Sequence, residues 1–149
     1  MQIESACEGL ISYRSVQAPT EDQANQIAAL YQAQGWWQAR DDDRQSLIGG
    51  IVKGSHCFVI ATDGNTIVGM GRAISDGISD AYIQDLTVKK DRRSQGIGRR
   101  ILLTLLERLH ADGIGWIGLI AEPGSCKLYS RAGFREMEGA VPMLMTEEP

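Results

Sequence analysis

The sequence is poor in cysteine. Cys7, Cys57 and Cys126 are odd in number and widely separated, and no C-x-x-C pair occurs. That excludes a disulfide framework and the usual zinc spacing, so a reducing cytoplasm is the expected location. A run of about 18 apolar residues, as a membrane span requires, is also missing. The opening MQIESACEGL lacks the basic and apolar regions of a signal peptide. Positive charge is in deficit too: the formal charge is −4. This argues against general affinity for nucleic acid or an anionic membrane surface. What remains is a chain of ordinary soluble composition, long enough at 149 residues to bury one core without staples. One domain over residues 1–149 is expected.

The scarce positive charge is unevenly spread. Lys89, Lys90, Arg92, Arg93, Arg99 and Arg100 place six of the fifteen basic residues in one stretch, broken by Asp91. Within it lies RRSQGIG, residues 92–98, with two glycines just before an apolar stripe. Glycine is a poor residue with which to begin a helix, so its use twice there calls for a backbone that something must approach closely.

Around this stretch the periodicity is readable. LISYRSV (10–16) is strand-like, and a helix follows with Thr20 as N-cap and Gly35 as stop. Ile27, Leu30 and Tyr31 share its core face. DDDRQSLIGGIVKGS reads as a second helix, with Asp41 to Asp43 at its positive end. Residues 56–74 and 79–88 turn to strand period, with a hairpin turn at Asp63-Gly64-Asn65 and a second turn at Asp76-Gly77. After the glycine loop, Ile97, Ile101, Leu105 and Leu109, widened by Leu102 and Leu106, form a helical stripe. IGWIGLIA (114–121) is apolar on both faces, which predicts a strand buried in mid-sheet and parallel to its predecessor across the helix. A short helix from near Pro123 to Gly133 and a last strand at VPMLMT complete the reading.

A strand, a glycine loop and a helix start make an anion site, because unpaired backbone N–H groups face the approaching oxygens. Two phosphate motifs fail here: no G-x-x-x-x-G-K-[ST] string occurs, and the third glycine of a dinucleotide fingerprint is replaced by Ile101. A third pattern, Arg or Gln, two residues, Gly, any residue, then Gly or Ala, is met by Arg93-Ser94-Gln95-Gly96-Ile97-Gly98. Together with Tyr129-Ser130-Arg131-Ala132-Gly133-Phe134, a Tyr-x-x-x-Gly-Phe element at a suitable distance, it resembles the GNAT acetyltransferase superfamily over nearly the whole chain.

The resemblance implies an α/β (α+β mixed) fold: a mostly antiparallel sheet with one parallel strand pair around the cofactor loop, flanked by about four helices. It implies that the loop, Arg93 to Arg99, binds the pyrophosphate of acetyl-coenzyme A, with Leu86, Thr87 and Val88 of the preceding strand and Ser125 of the short helix also in contact. It implies direct acetyl transfer from a thioester to an amine, with no metal and no covalent enzyme intermediate. An alkylamine with a pKa near 10.4 must lose a proton before it attacks. Asp85 and Glu122 are the two candidate bases; Glu122 stands where the family often has Asn. Backbone N–H groups at Leu86 to Val88 would stabilise the developing oxyanion. Tyr129 matches the family's general acid.

For the acceptor, Tyr31, Trp36 and Trp37 offer aromatic faces suited to a cation, while Arg72 and Asp76 offer charge. An amino acid, a polyamine, an aminoglycoside and a peptide N-terminus all remain open. The expected partners are thus a small-molecule or peptide amine, with no nucleic acid and no membrane, and a second copy of the chain in a homodimer to which VPMLMT contributes. A coenzyme A-binding regulatory or scaffold module without transfer is the alternative function.

Overall fold

Alternation of period two over residues 57–88 builds the centre of the molecule. In the computed structural model, which describes residues 10–37 and 44–147, strands β2 (Cys57–Asp63), β3 (Thr66–Ser75) and β4 (Asp80–Val88) form an antiparallel meander. Strand β1 (Ser12–Ser15) pairs antiparallel with β2, and β5 (Trp116–Gly118) pairs parallel with β4. The order across the sheet is β1-β2-β3-β4-β5. Gly64 and Gly77 make the two hairpin turns possible, each with a positive φ that a side chain would strain.

Helices cover both faces. Helix α1 (Glu21–Ala33) starts at Thr20, whose hydroxyl accepts from the Gln23 N–H at 3.2 Å while the Gln23 side chain accepts from the Thr20 N–H at 3.0 Å. This capping box satisfies two donors that the first turn cannot pair internally. With α2 (Arg44–Gly54), α1 buries Ile27, Leu30, Tyr31, Ile48 and Val52 against Phe58, Ile60, Ile67 and Met70 of the sheet. On the opposite face α3 (Ile97–Ala111) buries its six-residue stripe against Val59, Ala61, Ala73 and Ile83. Strand β2, covered on both sides, is buried along almost its whole length. A short helix α4 (Cys126–Arg131) packs beside α3, and Gly133 turns the chain out of it.

Two glycines of β3 set how closely α3 approaches. A Cβ on Gly69 would lie 2.9 Å from Ile101 Cδ1, and one on Gly71 would lie 3.0 Å from both Ile101 Cγ2 and Leu86 Cδ1. The bare backbone at these positions lets the helix stripe rest directly on the strand.

Two expectations are corrected. Residues 114–121 do not form a mid-sheet strand: β5 is three residues long and lies last in the sheet order, with Trp116 and Ile120 exposed. Its apolar outer side meets no further strand among the described residues. VPMLMT forms no strand either; Val141, Met143, Leu144 and Met145 stand in solvent. The helix reading for DDDRQSLIGGIVKGS holds over α2, while Asp41 to Asp43 lie outside the described residues.

Gly71→Ala should lower stability by about 1–3 kcal/mol, the usual cost of overpacking a tight core. Gly49→Ala in α2, where a Cβ meets nothing within 4 Å, should be neutral or stabilising by up to about 1 kcal/mol. Urea unfolding of both variants checks the contrast.

Candidate active site

The site begins with an irregularity in β4. Met70 faces Thr87 and Arg72 faces Gln84, so Gly71 alone stands opposite Asp85 and Leu86. One residue against two is a β-bulge. Its first residue, Asp85, has φ +58, a left-handed conformation that among side-chain-bearing residues Asp and Asn tolerate best.

The Asp85 side chain is then held in place. Its Oδ2 accepts from the Tyr31 hydroxyl at 2.7 Å and from Arg72 Nε at 2.5 Å. Arg72 reaches on to Ser55 Oγ at 3.4 Å, and that hydroxyl donates to the Ile51 carbonyl. The cluster thus joins α1, α2, β3 and β4. Burial raises the Tyr31 phenol far above its ordinary pKa of 10, and the hydrogen bond to Asp85 and its charge add to the effect. Tyr31 is therefore a fixed neutral donor. It stacks on Trp37 with ring centres 4.3 Å apart and meets Trp36 edge-on at 6.0 Å.

Past the bulge the strands part. Strands β4 and β5 pair only over Asp80–Tyr82 and Trp116–Gly118, leaving a groove between residues 83–88 and the chain beyond Gly118. The Lys89 N–H donates to the Val68 carbonyl, so strand alternation turns the Val88 amide and carbonyl away from β3, toward the groove. Arg93 Nε donates to that carbonyl at 3.0 Å. Arg92 donates to Asp63 Oδ2 at 2.9 Å and, through Nε, to Gln95 at 3.4 Å. The Arg93 and Gln95 side chains thus brace the loop, and the Ile97 side chain is buried in the core.

Backbone remains available. Ser94 and Gly96 both have positive φ, and Gly96 caps α3 without any side-chain hydrogen bond. The first N–H groups of α3 therefore carry the partial positive charge of an uncapped helix start. A Cβ on Gly96 would meet nothing within 4 Å, and one on Gly98 would meet only Val88 and Leu128 side chains at 3.6 and 3.9 Å. No protein atom demands the second glycine, so the room it leaves lies open to a ligand. Arg99 is exposed beside it.

Beyond Gly118 follow Glu122 and Tyr129, close enough that the charge of one acts on the phenol of the other. Trp36 Nε1 donates to Glu122 Oε1 at 3.1 Å, which links the end of α1 to the segment after β5. Ser125 spends its hydroxyl and its N–H on the Glu122 carbonyl, at 2.6 and 3.1 Å, to start α4. Tyr129 is half-buried and meets Phe134 edge-on at 5.9 Å. Burial, with the Glu122 charge second, raises its pKa above the ordinary value of 10.

Of the predicted residues, Tyr31, Trp36, Trp37, Arg72, Asp85 and Glu122 form one connected network, and Tyr129 is joined to it through the Glu122 charge. Asp76 stands apart. It accepts from the Ile78 and Ser79 N–H groups at the β3–β4 turn, and the Ser79 bond followed by the Ile78 bond holds its carboxyl down at about 2. Sequence reasoning missed Ser55, the rest for Arg72, and Asp63, the anchor of Arg92. The anchor was readable only as half of a pair: the basic cluster drew attention, while Asp63 looked like a turn residue.

The family model described as an acetyltransferase (GNAT) domain matches residues 27–142. An uncharacterized N-acetyltransferase, ycf52, of Gracilaria tenuistipitata var. liui is 31% identical over 68 residues, 46% of this chain and 37% of that protein. The match thus spans little more than a third of that relative. A probable acetyltransferase of Staphylococcus aureus has a TM-score of 0.75 at 23% identity, covering 92% of this chain and 99% of its own. A predicted acetyltransferase of Clostridium acetobutylicum, solved with acetyl-CoA, has a TM-score of 0.68 at 17% identity, covering 91% and 96%.

Asp85→Val should destabilise the protein by about 3 kcal/mol or more, because a β-branched residue at positive φ adds strain to the loss of the Arg72 pair. Asp85→Asn, which keeps the left-handed backbone, should cost less, about 1–2 kcal/mol. Chemical denaturation of the two variants gives the comparison.

Proposed function

Because this chain belongs to the GNAT acetyltransferase family, we propose that it transfers the acetyl group of acetyl-coenzyme A to the amine of a small molecule or peptide. The observation that carries this reading is the uncapped start of α3, beside a Gly98 that nothing in the protein requires. The bare N–H groups of Gly96 to Arg99 would hold the pyrophosphate, with Arg99 adding charge. The pantetheine arm would follow the groove past Val88, and Ser125 would stand near it as part of the α4 start. Acetyl-coenzyme A supplies an activated thioester; the protein supplies position, hydrogen bonds and proton movement.

Two carboxylates compete for the base, and their surroundings separate them. Asp85 accepts from Tyr31 and is paired with Arg72, so taking up a proton would break an ion pair and strand a guanidinium. Among the described residues the Glu122 carboxylate accepts the Trp36 indole N–H alone, and Glu122 is exposed. We assign the base to Glu122, acting directly or through one water, and give Asp85 the task of positioning. The Val88 amide, turned toward the groove, would stabilise an oxygen as it gains negative charge. Tyr129 would donate to the departing sulfur. A thiol of pKa about 8.5 is a weaker base than a phenolate, so a hydrogen bond that strengthens with the charge on sulfur suffices. The acceptor would lie against Trp36 and Trp37, whose faces favour a cation.

Thiol release from acetyl-coenzyme A should depend on an added amine and be sustained over many turnovers; binding without release would make the chain a coenzyme A-binding module instead. Calorimetry should show selective binding of coenzyme A over NAD and ATP. Gly98→Val, which fills the groove, should weaken that binding by about tenfold or more while the fold persists. With an accepted amine, Tyr129→Phe should lower kcat by about 10²-fold. The raised Tyr129 pKa keeps its proton in place through neutral pH, so the alkaline loss of activity should fall above pH 10 and vanish in the Phe variant. Glu122→Gln should remove the acid limb of kcat/KM, and Asp85→Asn should retain it.

A further inference from the structure

Two exposed aromatic rings stand where β4 and β5 part. Tyr82 and Gly118 are the last residues that these strands pair. Ala81 and Ile83 point into the α3 core, so alternation turns Tyr82 and Gln84 to the opposite face, which also carries Arg72, the residue paired with Gln84 on β3. Trp116, two residues before Gly118, shares that face. This is the side of α1 and of the Tyr31, Trp36 and Trp37 rings, while α3 and the glycine loop belong to the other.

The two rings form a shelf. Their centres are 5.4 Å apart at 62°, edge to face. A Cβ on Gly118 would lie 2.9 Å from Trp116 Cζ3 and Cη2 and 3.5 Å from Tyr82 Cε1, so the bare backbone lets both rings lie across the end of the strand. Helices α1 and α2 leave them uncovered: Tyr82 is 47% and Trp116 44% exposed. A wet pair of large aromatic rings, continuous with the mouth of the groove, is a surface for a ligand.

The charges beside the shelf narrow what that ligand can be. An amino acid brings a carboxylate that needs a free cation, and Arg72 is committed to Asp85 and Ser55. A polyamine or an aminoglycoside brings several ammonium groups, which need several acids. Of the two carboxylates in the network Asp85 already has its guanidinium, and only Glu122 has no cation among the described residues. One ammonium can be matched. A peptide N-terminus would lay its peptide groups over ring faces that cannot pair them.

We infer that the acceptor is a monoamine whose amine end lies by Glu122 and Trp36 and whose other end is a flat apolar group seated on Trp116 and Tyr82. This acceptor class rests on the acetyl-transfer reading above. Tyr82 precedes Asp85 by three residues, about 10 Å of strand, so a spacer joins the flat group to the amine. Trp116 and Tyr82 then select the acceptor without touching the reacting atoms.

The test follows thiol release from acetyl-coenzyme A by the full chain with phenylbutylamine, benzylamine, butylamine and spermidine. Phenylbutylamine should exceed each of the others in kcat/KM by about tenfold or more, since it alone has both ring and spacer. Trp116→Ala should lower the ratio of phenylbutylamine to butylamine by about tenfold, chiefly through KM, and Trp116→Phe should restore part of it. In parallel, calorimetry on the unmodified protein loaded with coenzyme A should show tighter binding of phenylbutylamine than of butylamine. This measurement needs no variant and decides the matter if Trp116→Ala does not fold. Equal rates with and without the ring, a preference for spermidine or benzylamine, or a ratio unmoved by Trp116→Ala would overturn the proposed acceptor class and leave acetyl transfer standing. Binding of phenylbutylamine that depends on Trp116 but yields no thiol would overturn the transfer reading instead, and neither release nor binding with any of the four would overturn both.

Discussion

The left-handed turn of β4 at Asp85 is the constraint from which the groove follows. An aspartate at φ +58 inside a strand is held there by three elements at once: Tyr31 from α1, Arg72 from β3 and, through Arg72, Ser55 at the end of α2. The extra residue bends the strand and increases its local twist. It lies just beyond the three pairs that β4 makes with β5, and past them the two strands no longer meet. A groove with free backbone donors on one wall is the consequence. The same side chains that fix the bulge also place Trp36 and Trp37 beside the groove, since both pack on the Tyr31 ring.

Helix α3 transmits this geometry to the glycine loop. Its stripe rests on Gly69 and Gly71, and Gly71 is the residue opposite the bulge. Leu86, the second bulge residue, fills the space that a side chain on Gly71 would take. The helix is therefore docked against the irregular part of the sheet, and its free N–H groups come to lie where the strands part. Arg92 to Asp63 and Arg93 to the Val88 carbonyl fasten the middle of the intervening loop to the sheet. Two of the local arginines thus hold backbone in place, and the N–H groups at the start of α3 are left for the proposed anion site.

Local patterns in the sequence were legible because local forces produce them. The α3 stripe, the Thr20 cap, the hairpin at Gly64 and the loop spacing each depend on residues a few positions apart. The bulge was not legible: nothing in YIQDLTV marks Asp85 as left-handed, because its partners lie 54 and 13 residues away. The IGWIGLIA run was misread for a different reason. Apolar residues on both sides of a short strand predict burial, but they do not say whether the cover comes from the same chain. VPMLMT failed in the same way, as a strand-forming sequence with no neighbour among the described residues to pair with.

Asp85 and Glu122 carry the same functional group and sit in one network, yet the network treats them in opposite ways. Asp85 receives a guanidinium, which matches its charge, and a phenol O–H, which engages the same oxygen. Among the described residues Glu122 receives one indole N–H and no cation. Its influence reaches Tyr129, where the Glu122 charge adds to burial in keeping the phenol protonated. A carboxylate whose charge acts on a neighbouring phenol is the pairing that the proposed acylation uses: one group to accept a proton and another to give one. Trp36 holds Glu122 from the turn just after α1, the helix that also anchors Asp85 through Tyr31. The two carboxylates are therefore fixed relative to each other by the last turn of α1 and the Gly35 turn that follows it.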